Sequence, residues 1–223
     1  VETKTGEIAR RVSFVKDVAV QRWTEAGFET VTESFKEGKR CITQQSNLRV
    51  GDYHYFRAYT RNYLGRIHIK SGDVEYLELP LQILREPGEK EQILWNAEHR
   101  PDDLAKHPGK KKQNALSYIA FRFNNVTNSR GVKVMGDDRA IQNGWGHTAS
   151  PLPTAIGGRL YVPILSGLVF VIQADAKVFN EEAIVAMNDL GPLGDAFNRS
   201  SLTTDGLRIY AHTIKEVIAI GKE

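Results

Sequence analysis

The loop Asn143–His147 contains the residue types in this sequence that are best suited to binding a ligand. Trp145 lies between two glycines there, and His147 follows the second glycine directly. An indole ring offers a flat stacking surface, and an imidazole can donate, accept or take up a proton near neutral pH. The alternative is structural, because Trp145 could fill a gap between neighbouring sheets and His147 could bond to backbone groups.

Two further loops add polar side chains to these candidates. Asn198 and Arg199 lie in a loop that corresponds, one repeat later, to Asn143–His147, and they add an amide and a cation. Arg61 and Asn62 lie in a turn between two predicted strands and could face elsewhere. We expect a ligand to contact members of this group of six: Trp145, His147, Asn198, Arg199, Arg61 and Asn62.

The sequence carries no recognisable catalytic or metal-binding pattern. It contains no GxSxG, HExxH, P-loop or GxGxxG motif, and no two of its six histidines lie two or four positions apart. Cys41 is the only cysteine, so neither an intrachain disulfide nor a cysteine-rich zinc site can form. We therefore expect no metal site and no catalytic residue, which favours a protein that is not an enzyme. A hydrolase would need convergent carboxylates that the sequence does not identify.

Composition and charge argue against a nucleic-acid partner and against a membrane span. The net charge is +3, and the one clear basic run, residues 106–112, contains a proline and a glycine and indicates a solvated loop rather than a nucleic-acid surface. No apolar stretch approaches the roughly 18 residues that a membrane span needs. No signal-peptide pattern opens the chain, which begins at Val1, and we expect a processed product or a piece of something longer.

The candidate loops must be positioned by β-strands, and residues 53–79 show the clearest set. This stretch predicts the strands Tyr53–Tyr59, Tyr63–Ile69 and Val74–Leu79, with Gly72 in the last tight turn. Short strands joined by tight turns, with no helical pattern between them, predict an antiparallel meander. Strands of the same kind are predicted at Arg159–Leu165, Leu168–Ile172, Ala183–Leu190, Leu207–His212 and Glu216–Ile220.

The remaining segments are less regular. Lys4–Ile8 has the same residue pattern as Lys70–Val74 and predicts a second hairpin turn. Arg11–Val20 alternates in part and predicts a strand, whereas Gln21–Lys39 predicts a strand remnant with loops. Residues 81–143 are rich in charges and prolines, and they predict a long insertion in the place of one structural unit, which is either surface decoration or a site of specificity.

An internal repeat indicates the architecture. A glycine turn followed by a tyrosine recurs at Tyr55, Tyr161 and Tyr210, with separations of 106 and 49 positions, the first about twice the second. A period near 40–50 residues with several strands is typical of a β-propeller blade, whereas a sandwich would lack self-similarity at one blade length. We predict an all-β chain that forms a partial propeller of about four to five blades. Each blade is a four-stranded antiparallel sheet, and residues 1–223 form one domain with the insertion at about 81–143.

Two segments resemble blades of the PQQ-like (quinoprotein-type) β-propeller repeat family. They are residues 62–76, NYLGRIHIKSGDVEY, and residues 150–172, SPLPTAIGGRLYVPILSGLVFVI, and Ser200–Ile220 is similar to the last blade of such a chain. The resemblance covers about half of the chain. It implies the C-terminal part of a larger propeller, or a partial propeller that another chain completes, and a periplasmic or extracellular location.

The sequence also departs from that family. Tyr76 and Arg10 stand where its blades carry a docking tryptophan, and His68 and Glu2 stand where they carry an aspartate. Quinone-dependent members also have two adjacent cysteines and calcium ligands beside the cofactor, and a single Cys41 excludes the cysteine pair. Neither PQQ nor calcium is therefore supported by this chain.

The resemblance leaves two functional hypotheses. The first is a non-catalytic binding or scaffolding module whose ligand, a protein or a small molecule, is not identified. The second is a fragment of a quinoprotein-like oxidoreductase whose cofactor site lies outside this chain. In either case a partial propeller has open strand edges, which predict self-association or completion by another chain.

Overall fold

The computed structural model shows an all-β protein made of several antiparallel sheets. Among the residues that it describes there is no helix long and apolar enough to cross a membrane, and a single 3-10 turn lies at Glu181–Ala183. The described residues are 4–35, 48–57, 63–80, 82–84, 90, 92–95, 126–127, 133–134, 151–164, 167–191, 198, 200–213 and 216–221.

The first sheet is an antiparallel meander extended by a hairpin. In sheet order its strands are β2 (Gly27–Glu33), β1 (Val18–Thr24), β6 (Val74–Glu78), β5 (Tyr63–His68), β4 (Tyr53–Arg57) and β3 (Leu48–Val50). The pairs from β3 to β6 are all antiparallel, and the β1–β2 hairpin joins β6 through a parallel pairing of β1. β1 and β6 can pair in parallel because a long stretch of chain, rather than a tight turn, connects the two strands.

The second sheet is a four-stranded antiparallel meander in chain order. Its strands are β11 (Thr154–Ile156), β12 (Arg159–Pro163), β13 (Leu168–Gln173) and β14 (Ile184–Asp189). Gly157 and Gly158 both have positive φ, at 56° and 75°, which is the conformation of the two-residue turns that suit a twisted hairpin. These turn residues explain why the chain reverses between β11 and β12.

The third sheet repeats the first three strands of the second. It consists of β15 (Thr203–Thr204), β16 (Ile209–His212) and β17 (Val217–Ile220), all antiparallel. Two separate hairpins are also described: β7 (Gln82–Leu84) with β8 (Gln92–Leu94), and β9 (Val126–Thr127) with β10 (Lys133–Val134).

The three sheets stack face to face in chain order. Leu64 and Leu77 of the first sheet share one buried cluster with Leu160 and Phe170 of the second. The opposite face of β13 places Val169 in another cluster, with residues of the third sheet. The second sheet is therefore buried on both faces, which accounts for the nearly continuous apolar sequence of β13.

The other face of the first sheet is covered by the N-terminal segment. Phe56 and Tyr76 on that face pack with Val18, Phe35 and the partly buried Phe14. The hydroxyl of Tyr76 also donates to the carbonyl of Phe14 at 2.6 Å. The N-terminal segment thus covers the face of the first sheet that points away from the second sheet.

Comparison with the sequence predictions confirms the meanders and corrects the segment before residue 40. The strands predicted between residues 53 and 79, and from residue 159 onward, are present with ends that differ by up to two residues. The interpretation of Gln21–Lys39 as a remnant with loops was wrong, because β1 and β2 form a hairpin there. Lys4–Ile8 does turn at Gly6, with φ at 75°, but no strand flanks it among the described residues.

The role expected for residues 81–143 is also corrected in one respect. They were expected to take the place of a whole blade, yet the first and second sheets share one buried cluster, so among the described residues no sheet separates the two. Most of this segment, including the predicted limit at residue 143, lies outside the described residues.

Candidate functional site

Arg57 is a buried cation at the junction of the first and second sheets. It is the last residue of β4 and only 4% exposed, and its Nη1 donates to the carbonyls of Pro151 at 2.8 Å and Pro163 at 3.0 Å. Neither proline can donate a backbone hydrogen bond, but both offer a carbonyl. The guanidinium therefore joins the end of one sheet to two segments of the next.

The alternation of β4 explains why this arginine points into the junction. Tyr53, Tyr55 and Arg57 lie on the same face of the strand, and Arg57 is directly opposite Leu64 of β5. That face also carries the leucines that pack against the second sheet. Burial lowers the pKa of Arg57 to about 9, so the side chain is still a cation at neutral pH.

Asn198 is the only one of the six predicted ligand residues that lies among the described residues. Its side chain is fully buried, and its Oδ1 accepts a hydrogen bond from the backbone N–H of Ser200 at 2.8 Å. None of the described residues accepts a hydrogen bond from its Nδ2. Because buried amide N–H groups need an acceptor, this N–H is a candidate donor for a bound ligand.

Asn198 and Arg57 lie at the same end of the stacked sheets. Asn198 forms an isolated antiparallel β-bridge with Thr213, the residue directly after β16. β16 is the second strand of the third sheet. Arg57 and Pro163 are the last residues of β4 and β12, the second strands of the meanders in the first and second sheets. We call this end, defined by Arg57, Pro163, Asn198 and Thr213, the Arg57 end.

The structure leaves most of the predicted ligand site untested. Trp145, His147, Arg61, Asn62 and Arg199 lie outside the described residues, so it does not show whether they come together. The described residues contain no group of three or more acidic, histidine or cysteine side chains that could hold a metal ion.

The sequence prediction missed the residues that join the first two sheets farther from the Arg57 end. Arg66 is 1% exposed, pairs with Glu75 at 2.7 Å and donates to the carbonyl of Ala176 at 2.6 Å. Its guanidinium lies 4.2 Å from the ring centre of Tyr53 and 4.5 Å from that of Phe179. The available signal was that Arg66 lies two positions after Leu64 and therefore on the same face of the predicted strand.

Tyr55 makes the second link of this kind. Its hydroxyl donates to the carbonyl of Ala174 at 2.6 Å, and burial raises the pKa of the phenol. Tyr55, Arg57 and Arg66 therefore all donate from one face of the first sheet to backbone carbonyls of the segment 151–176. These side chains hold the sheets together, and their hydrogen bonds explain how three large polar residues are buried.

Comparison with known proteins adds little to this picture. The sequence matches no known family profile and no curated protein. A similar solved structure is that of BamB from Moraxella catarrhalis, with 15% sequence identity and a TM-score of 0.25, over 77% of this chain and 40% of that one. The chain thus spans less than half the length of that protein. A likeness at this level does not decide the function, which must be argued from the chain itself.

Proposed function

We propose that this chain is part of a β-propeller of the PQQ-like repeat type and acts as a non-catalytic binding or scaffolding module. The observation that carries the proposal is the stacking of consecutive antiparallel meanders, face to face and in chain order. Successive blades of a propeller have this relation, because each sheet is followed in sequence by its neighbour in space.

The equivalence of the tyrosines supports the same proposal. Tyr55, Tyr161 and Tyr210 each lie on the second strand of a meander, directly opposite the first residue of the preceding strand, at Leu48, Thr154 and Thr203. Tyr55 and Tyr161 each face the next sheet of the stack. A side chain that repeats in both register and direction is expected of repeated units rather than of unrelated meanders.

The first strands of neighbouring sheets also lie as blades require. β3 and β11, the first strands of the meanders in the first and second sheets, contact each other across the junction. In a propeller the first strand of every blade surrounds the central axis. We therefore propose that β3, β11 and β15 line such an axis.

We place the ligand-binding surface at the Arg57 end. Asn198 supplies a buried donor there, and Trp145, His147, Arg199, Arg61 and Asn62 are proposed to contribute from the adjoining loops. Arg57, the buried cation at this end, donates to two backbone carbonyls and thus has a structural role. This favours binding over catalysis at the Arg57 end. We also propose, from the family resemblance alone, that the protein is exported to the periplasm or beyond the cell.

The competing hypothesis, a fragment of a quinone-dependent oxidoreductase, is tested by spectroscopy. The protein purified from its natural source is expected to show no quinone absorbance and no dye-linked dehydrogenase activity after addition of PQQ and calcium. A quinone absorption band, or activity that requires the added quinone, would establish the oxidoreductase and overturn the proposal.

A further inference from the structure

A short segment of the chain lies across the outer face of the first sheet, the face that points away from the second sheet. We call this segment the strap, and it comprises residues 10–15. No residue from 6 to 17 belongs to a strand, so the strap is not part of the sheet that it covers. Its contacts with the sheet fall on Arg10, Val12 and Phe14. Contacts at alternate residues are typical of an extended chain that lies with one side on a surface.

The first half of the strap sits on the turn between β5 and β6. The Nη1 of Arg10 donates to the carbonyl of Lys70 at 2.7 Å. Gly72 leaves room for two side chains of the strap, since a Cβ there would lie 2.9 Å from Arg10 Nη1 and 3.3 Å from Val12 Cγ2. The turn therefore offers a seat for one cationic and one β-branched side chain.

The second half of the strap sits on aromatic residues of the sheet. The ring of Phe14 meets the ring of Phe56 edge-on, with 5.8 Å between their centres, and the carbonyl of Phe14 accepts a hydrogen bond from the Tyr76 hydroxyl at 2.6 Å. The carbonyl of Val15 accepts another from the backbone N–H of Phe35 at 2.7 Å. These two donors hold the main chain of the strap, so they do not depend on its side chains.

The strap joins β1 at a strained residue. Asp17 has a φ of 52° and is the one described residue other than glycine with a positive φ. Its backbone N–H donates to the Ser34 hydroxyl at 2.9 Å, and that hydroxyl donates to the Asp17 carboxylate at 2.7 Å. Residues with such a φ persist where surrounding contacts hold them, and they cluster at ligand clamps and switch regions. Asp17 is therefore suited to act as a hinge between the strap and β1.

We propose that the outer face of the first sheet is a peptide-binding surface and that the strap occupies it in cis. The partner is an extended peptide with a cation, a β-branched residue and an aromatic ring at alternate positions, the pattern of Arg10, Val12 and Phe14. The hydroxyl of Tyr76 and the N–H of Phe35 hold the main chain of this peptide, and its three side chains give specificity. The peptide binds when the strap swings away about its hinge.

The strap competes with any such peptide. An attached segment acts at an effective concentration in roughly the millimolar range, so we expect the natural chain to bind a separate peptide weakly. Phe56 and Arg57 are neighbours in β4 and point to opposite faces of the sheet, so this surface is distinct from the ligand surface proposed at the Arg57 end. The inference does not rest on the proposed function, and either can fail without the other.

The test uses the full 223-residue chain and a fluorescein-labelled peptide of residues 8–16, IARRVSFVK, with fluorescence anisotropy as the readout. Phe14→Ala removes the aromatic anchor of the strap, and Arg10→Ala removes its bond to Lys70. Ile8→Ala is the matched control, because Ile8 precedes the strap and is 55% exposed. A second peptide, in which alanine replaces phenylalanine, tests whether the surface recognises the aromatic ring.

We expect the dissociation constant of the natural-sequence peptide to be at least about tenfold lower for Phe14→Ala than for the natural chain or Ile8→Ala, with Arg10→Ala in between. The alanine peptide should bind Phe14→Ala at least about tenfold more weakly than the natural-sequence peptide does. Adding Tyr76→Phe to Phe14→Ala should weaken binding by about fivefold, because one main-chain hydrogen bond is lost.

Arg10→Ala keeps the test valid where Phe14→Ala impairs folding, because Arg10 is exposed. Equal affinity of the peptide for the natural chain and for a folded strap variant would refute the proposal, since the peptide would then bind elsewhere. The absence of binding to a folded strap variant would refute it as well.

Discussion

At the scale of single residues, Arg57 shows how one buried side chain can join two sheets. It donates to the carbonyls of Pro163, in the second sheet, and of Pro151, in the segment that leads into that sheet. Removing such a donor leaves buried acceptors unsatisfied, which costs more than the net value of the hydrogen bonds themselves.

We predict that Arg57→Met lowers the free energy of unfolding by about 2 kcal/mol, because methionine keeps the apolar stem and loses the donors. The control is Arg22→Met, since the Arg22 side chain is 50% exposed and its ion pair with Glu33, at 3.6 Å, should contribute less than about 1 kcal/mol. Urea denaturation of both variants measures the difference. Equal losses in the two would show that the Arg57 contacts do not join the sheets.

Asp205 gives a pH-dependent prediction at the same scale. A hydrogen bond from the Tyr210 hydroxyl, with further bonds from the N–H groups of Arg208 and Leu207, lowers the pKa of the carboxyl to about 2. A folded-state pKa below the ordinary 3.8 means that these bonds stabilise the turn above about pH 3.8 and are lost as the pH falls through about 2.

We expect NMR titration of the Asp205 carboxyl to give a midpoint near 2 in the natural protein. In Tyr210→Phe the midpoint should rise toward 3.8, because the largest cause of the shift is removed. An unchanged midpoint in that variant would assign the shift to the backbone donors instead.

At the scale of elements, Gly65 fixes how β4 and β5 pair. It lies directly opposite Phe56, and a Cβ at Gly65 would come closer than 3.0 Å to three atoms of the Phe56 ring. The aromatic ring thus covers the glycine of the neighbouring strand, an arrangement that compensates for the missing side chain.

We predict that Gly65→Ala destabilises the protein by about 1–3 kcal/mol, since the ring must move from a packed position. In the Phe56→Leu background the same substitution should cost less, because the shorter side chain leaves room for the Cβ. Thermal unfolding of the two single variants and the double variant measures the coupling. Additive losses would mean that the ring does not limit the space at Gly65.

The elements also show what the sequence could predict and what it could not. The meanders were predictable because tight turns with glycine at positive φ separate strands of clear alternation, as at Gly72 and Gly157. The β1–β2 hairpin was missed because β2 is an outer edge, and its Glu29 and Glu33 hide the alternation. The parallel pairing of β1 with β6 has no local signal, since it joins residues more than fifty positions apart.

The candidate site was less predictable than the fold. Asn198 was chosen for its loop, and the structure shows its side chain buried and bonded to the N–H of Ser200, whereas no local pattern singled out Arg57. Both side chains depend on contacts with residues that are far away in the sequence. Their roles could therefore not be read from local pattern.

At the scale of the whole molecule, the stack is held by polar links as well as apolar packing. Tyr55 and Tyr210 occupy equivalent places, but Tyr55 donates to a carbonyl of the next sheet and Tyr210 donates to Asp205 of its own turn. The same residue type thus joins two sheets in one copy and closes a turn in another.

We predict that Tyr55→Phe lowers the free energy of unfolding by about 1–2 kcal/mol, because the buried carbonyl of Ala174 loses its donor. Tyr210→Phe should have a smaller effect, since its hydroxyl bond is exposed to water. Chemical denaturation compares the two variants. A larger loss for Tyr210→Phe would contradict the assignment of Tyr55 to the junction.

The central claim is that the first and second sheets are direct neighbours, and methyl NOE spectroscopy of protein labelled at Ile, Leu and Val tests it most directly. The structure predicts cross-peaks between methyl groups of Leu64 or Leu77 and those of Leu160, Val162 or Ile172. It also predicts that Val169 shows cross-peaks to Leu202 and Ile218 of the third sheet. If Leu64 and Leu77 showed no cross-peak to the second sheet, the sheets would not be consecutive and the account of stacked blades would be wrong.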